Sequence, residues 1–298
     1  MSTMNVLAIA TEDKYTAAIV YDDDPGYDPR DLDDLGTMVC WHRHYKLGDN
    51  NPFKTPQDFF HAKITDLCSR DEIFDYALKA EGSVKIEKCK NGYGDNAYEL
   101  FYYGYKSWLG ERHEPEWQRE DVYADDAMLI DAIVDNMSIS DCKTLLENKL
   151  VMLPLYLYDH SGITMSVNDF GDKWDSGQVG WIYADYSKIK KEYGVETVTK
   201  TEIQKTVNTL KTEIETYDRY LRGEAYGIMI YEFDEVTDSC FGYLEDIDYM
   251  SAEAASFLPV ELRKIIIAKL RSCHHVGEID MDNYFAKVFN KEVKWSVK

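Results

Sequence analysis

No apolar run in this 298-residue chain approaches the roughly 20 residues that a membrane-spanning helix needs; the longest, Val151 to Tyr158, is far shorter. A helical membrane span is therefore not expected. Six cysteines, Cys40, Cys68, Cys89, Cys142, Cys240 and Cys273, include no CxxC pair, which fits reduced thiols better than a disulfide framework. Glycine-rich phosphate loops, nucleophile elbows and HExxH helices are missing too, so the strongest enzyme signatures are absent and no cofactor is expected. No basic segment precedes the short apolar stretch Val6 to Ala10, so a secretory leader is not expected and the cytoplasm is the expected location. Repeats at a solenoid period are also wanting.

Basic residues are scarce beside acidic ones: 33 Lys and Arg face 55 Asp and Glu, a formal charge of −22. The first 150 residues hold 30 acids and 16 bases, the remainder 25 and 17. Such a balance repels nucleic acid and anionic membrane and favours partners with a basic surface. Hydrophobic residues at 45% and aromatics at 13% are ample for a buried core. The length exceeds what one core usually serves, which suggests an acidic N-terminal region, 1–150, and a C-terminal region, 151–298. A single continuous domain is the alternative.

Periodicity then supplies elements. Residues 5–21 read as two strands around Glu12-Asp13-Lys14, followed by a loop with seven Asp between Asp22 and Asp34. Thr55-Pro56 with Asp58 starts a helix to about Cys68, and Arg70 to Ala80 follows as another. Val84 to Cys89 and Tyr98 to Tyr103 form a hairpin across Asn91-Gly92. Helices are predicted over 126–137 and 141–149, then strands over 151–158, 163–166 and 178–183 and a short helix over 186–193. Ile203, Val207, Leu210, Ile214, Tyr217 and Leu221 mark one long helix near 199–222, closed by Gly223. A hairpin over 226–233 and 240–244 and helices over 252–258 and 259–273 complete the pattern. Hairpins with interspersed helices predict an α+β fold with a mixed or antiparallel sheet.

Three places could carry function. Cys40, His42 and His44 alternate along an expected strand, which would put three potential metal ligands on one face; a half-buried strand with polar ends explains the pattern equally well. Asp159-His160-Ser161 holds triad residue types within one turn, but neighbours cannot supply the approach of base to nucleophile, so a self-bonded turn is expected. His274-His275 suit a helix C-terminus. Nine acids, Glu111, Glu114, Glu116, Glu120, Asp121, Asp125, Asp126, Asp131 and Asp135, accompany only Arg112 and Arg119. Where this stretch is helical, carboxylates four apart lie about 5–6 Å from one another and repel by roughly 0.2–0.5 kcal/mol per pair. Spaced carboxylates of that kind can stand in for the phosphates of a duplex; a solvated acidic face or a Mg²⁺ cluster would use the same residues.

The block Asp34 to Asp49, with Leu153 to Ser166, Trp174 to Tyr183 and Glu215 to Gly223, resembles a family of acidic proteins of phages and integrative mobile elements, in blocks over about 20–245. The resemblance implies a genomic setting in which counter-defence is common, and no mechanism; similarity to antirestriction DNA mimics is one of charge alone. The leading expectation is a non-catalytic protein that binds and inhibits a host nucleic-acid-targeting defence complex, without direct nucleic-acid binding, with self-association left open. A metal-assisted enzyme acting on a nucleotide or nucleic acid, built around Cys40, His42, His44, Asp159 and His160, or a non-catalytic replication or structural accessory, would be the alternatives.

Overall fold

A computed structural model describes residues 3–105, 114–273 and 276–293. Strands β1 (Thr3–Glu12) and β2 (Tyr15–Tyr21) come first, then β3 (Thr37–Cys40), α1 (Pro56–Leu67), α2 (Arg70–Lys79), β4 (Val84–Lys90) and β5 (Asn96–Gly104). They are followed by β6 (Glu116–Tyr123), α3 (Asp126–Asn136), α4 (Ile139–Leu146), β7 (Leu150–Asp159), β8 (Ile163–Ser166) and β9 (Ser176–Asp185). The remainder holds α5 (Tyr186–Tyr193), α6 (Lys200–Leu221), β10 (Tyr226–Glu232), β11 (Glu235–Tyr243), α7 (Ile247–Ser256), α8 (Val260–Ser272), β12 (Gly277–Asp280) and α9 (Met281–Val293). The fold is α+β with antiparallel sheets ordered β11-β10-β2-β1-β12, β3-β9-β7-β8 and β4-β5-β6.

Contacts divide the chain into two interleaved units, one of Met1–Asp34, Tyr156–Gln178 and Lys211–Lys298, the other of Leu35–Leu155 and Val179–Leu210. The contact boundaries fall after Asp34 and within β7, β9 and α6.

In the first unit β2 is a continuous apolar run and not an alternating one, because both faces of its sheet are covered. Ala17, Ile19, Ile228 and Ile230 pack with Met250, Ala254, Ile266 and Leu270 of α7 and α8. Their neighbours Ala18, Val20 and Tyr231 meet Met281 and Phe285 of α9 on the opposite face, as the period of two requires. The hairpin β10–β11 turns at residues 233–234, tighter than the expected loop over 234–239, with Phe233 at φ 58°.

In the second unit Phe59, Phe60 and Ile64 of α1, fully buried, pack with Leu129 and Ile133 of α3 and Leu146 of α4, and the same core takes in Ile86 and Leu100 of the β4-β5-β6 sheet. Thr55 and Asp58 form a reciprocal capping box at α1, Ser69 and Glu72 at α2, and Ser138 and Asp141 at α4. Glu72 also accepts Lys149 Nζ at 2.7 Å. That bond, with the Ser69 amide and hydroxyl, lowers its pKa to about 2. Because the carboxylate is depressed in the folded state, its contribution is complete above the ordinary glutamate range and disappears as pH falls toward about 2. Glu72→Gln is therefore expected to be less stable than wild type near neutral pH, and the gap should close as thermal melts are repeated at successively lower pH.

Candidate functional site

Of the nine acids, Glu111 lies outside the described residues, as do His274 and His275. The other eight, Glu114, Glu116, Glu120, Asp121, Asp125, Asp126, Asp131 and Asp135, are all exposed. They do not share a helix: Glu116 to Tyr123 is β6, paired with β5, so residues four apart there stand about 13 Å apart along a strand. The helical repulsion expected of Glu116 with Glu120 does not arise; only Asp131 and Asp135, on α3, keep that spacing. Asp125 caps α3 by accepting the Met128 amide at 2.9 Å, and Asp126 sits in its first turn, where negative charge is favourable.

The strand and helix acids nevertheless act on common ground. Register places Glu120 and Asp121 of β6 opposite the single residue Leu100, a bulge that adds a second carboxylate where one would stand. The Tyr123 phenol is pushed up by burial, and further by the negative charges of Glu120, Asp121 and Asp135. Arg119, beside them, is engaged by Glu99. Charge and a bulge on β6 also deter pairing of this edge strand with another chain.

The segment after β3 departs from expectation. The strand ends at Cys40, so Cys40, His42 and His44 are not three side chains on one strand face. Long-range bonds turn the chain: Trp41 Nε1 donates to the Phe53 carbonyl at 3.0 Å and Asn51 Nδ2 to the Cys40 carbonyl at 3.0 Å. Asp49 completes the neck, its amide donating to the Met38 carbonyl and its carboxylate accepting the Met38 amide at 2.8 Å. Gly48 bridges to Val39 at φ +70°, with the position of a Cβ only 2.9 Å from the Met38 carbonyl oxygen, so glycine is required there. Among the described residues no three His, Cys, Asp or Glu side chains gather to hold a metal ion.

The closed loop bounds a groove of about 630 Å³ lined by residues 40–47, 49–51 and 53. The His42 and Tyr45 rings stack at 5.0 Å and 10°, and His44 meets His42 edge-on at 5.9 Å. His42 Nδ1 accepts the His44 and Tyr45 amides at 3.3 and 3.2 Å. The sequence pattern singles out the two histidines of this block and not Arg43, Tyr45 and Lys46. The available signal was the complete absence of acids from Leu35 to Gly48 in so acidic a chain.

At the second histidine site, His160 Nδ1 lies 3.0 Å from Asp175 Oδ2, while its amide donates to the Gly162 carbonyl. Among the described residues no hydrogen bond joins the ring to Ser161, which closes the turn at φ 55°. The arrangement is a turn tethered to the loop before β9 and contains no nucleophile relay. All six cysteines are free, and burial raises the Cys142 thiol to about 12, with the Asp141 charge adding to it. A buried polar centre lies outside these expectations: Asp141 gathers Tyr76 of α2 and Ser83 before β4, together with Ser138, the cap of its own helix.

Among the described residues no helix is long and apolar enough to cross a membrane. No family model, no curated protein and no solved structure matches the chain.

Proposed function

We propose that this chain is a counter-defence binding protein of a phage or integrative element, acting in the host cytoplasm. It occupies the basic nucleic-acid groove of a host defence protein through the carboxylates of β6 and α3. The observation that carries this reading is the run of exposed carboxylates on β6 and α3, with Glu120 and Asp121 together at the β6 bulge and Asp131 one turn from Asp135. Carboxylates held on two neighbouring elements give a basic groove a fixed pattern to match, and opposite potentials accelerate docking. Asp125 and Asp126 are assigned to the helix start and contribute only field.

The test is affinity capture from host extract with the wild-type chain and with the combined variant Glu120→Gln, Asp121→Asn, Asp131→Asn, Asp135→Asn. Wild type is expected to retain a nuclease or other nucleic-acid-handling subunit at low salt and release it at roughly 0.5 M salt, where the Debye length is only about 4 Å. The variant should bind that subunit at least about ten-fold more weakly. Equal retention by both chains would end the proposal.

A further inference from the structure

We propose that the groove closed by residues 40–53 binds a small phosphate ester bearing a flat aromatic ring, in chemical terms a mononucleotide. Its charge is opposite to that of the chain. Arg43 and Lys46 are exposed on the loop, and among the described residues neither is paired with a carboxylate, although acids outnumber bases 55 to 33. Asp49 is the one acid in the lining, and its Oδ2 accepts the Met38 amide. Remote carboxylates do little to cancel these cations, because a Debye length of about 8 Å screens them at physiological salt. Arg43 offers a planar fork suited to a phosphate, and Lys46 a second cation.

The aromatic part has its own platform. The His42–Tyr45 stack leaves Tyr45 38% exposed, ring surface on which a further ring can lie. Two backbone amides donate to His42 Nδ1 and fix the ring that Tyr45 stacks on. The volume, about 630 Å³, falls within the usual range for small-molecule sites, and the bonded neck holds the loop in place before any ligand arrives. A long polyanion is disfavoured, since beyond the groove it would meet the acidic surplus.

Purified full-length protein should be titrated calorimetrically with each of the common nucleoside monophosphates, with the matching nucleosides, with inorganic phosphate and with a short single-stranded oligonucleotide. At least one monophosphate is expected to bind at one equivalent, at least about ten-fold more tightly than either its nucleoside or phosphate. Arg43→Gln with Lys46→Gln should weaken binding at least about ten-fold, and Tyr45→Leu about five-fold or more, with melting temperatures unchanged. Absence of saturable binding by every monophosphate overturns the proposal. So does equal affinity in the Arg43/Lys46 double variant, equal affinity for inorganic phosphate, or tighter binding of the oligonucleotide than of any monophosphate.

Discussion

Asp141→Ala is expected to lower stability by about 3–4 kcal/mol, read as a shift in urea midpoint at constant slope. Asp141 is 5% exposed. Its carboxylate accepts the Tyr76 hydroxyl at 2.7 Å, the Ser83 amide at 3.0 Å, the Ser138 amide at 3.2 Å and the Ser83 hydroxyl. Alanine takes the carboxylate from three donors, the Tyr76 hydroxyl and the Ser83 amide and hydroxyl, while the Ser138 amide keeps Ser83 Oγ at 3.0 Å; unsatisfied buried donors each cost about 1–3 kcal/mol. Burial alone would raise this carboxyl; the bonds from Ser83, Tyr76 and Ser138 outweigh it, and the group lies below the ordinary aspartate range. Its stabilisation is therefore complete above that range and is lost as pH falls through the depressed value. Asp141→Asn keeps one acceptor but sets an amide donor against the same donors, so it should fall between alanine and wild type. A midpoint for Asp141→Ala within the error of wild type would show that these bonds do not hold the second unit together.

Gly180→Ala should cost about 3 kcal/mol or more and should loosen the loop that bounds the groove. Gly180 is buried on β9 directly opposite Cys40 of β3. A Cβ at this position would stand 2.0 Å from the Val39 carbonyl oxygen and 2.9 Å from Cys40 Cα, both backbone atoms. A flexible side chain could swing aside; a paired strand has to separate. Separation at Cys40 disturbs the Asn51 and Trp41 bonds that form the neck, so amide exchange and proteolysis should accelerate over 37–53. Gly177→Ala is the control on the same strand: it is exposed, a Cβ there meets nothing within 4 Å, and its effect should stay within about 0.5 kcal/mol. Equal stability and equal exchange in the two variants would contradict the account of the β3–β9 contact.

Elements with a strong local signal were legible. Thr55-Pro56 with Asp58 marks the start of α1, the spacing from Ile203 to Leu221 marks α6, and Gly194 closes α5 at φ +63°. Strand β6 was not legible, because Glu116-Trp117-Gln118-Arg119-Glu120-Asp121 shows no apolar alternation; its ladder with β5 makes it a strand. Likewise β12 is only four residues long and gains its structure from β1. The apparent alternation of Cys40, His42 and His44 misled because Trp41 and Asn51 bond across the loop and stop the strand at Cys40.

By itself the sequence determined the α+β class, most helix boundaries and the surplus of negative charge, since caps, periodicity and composition are local or additive properties. Only the tertiary structure decided which carboxylates share a neighbourhood, that Asp141 anchors three segments, and that Arg43, Tyr45 and Lys46 border a groove. Those outcomes depend on strand register and on hydrogen bonds between residues distant along the chain, which no local pattern encodes.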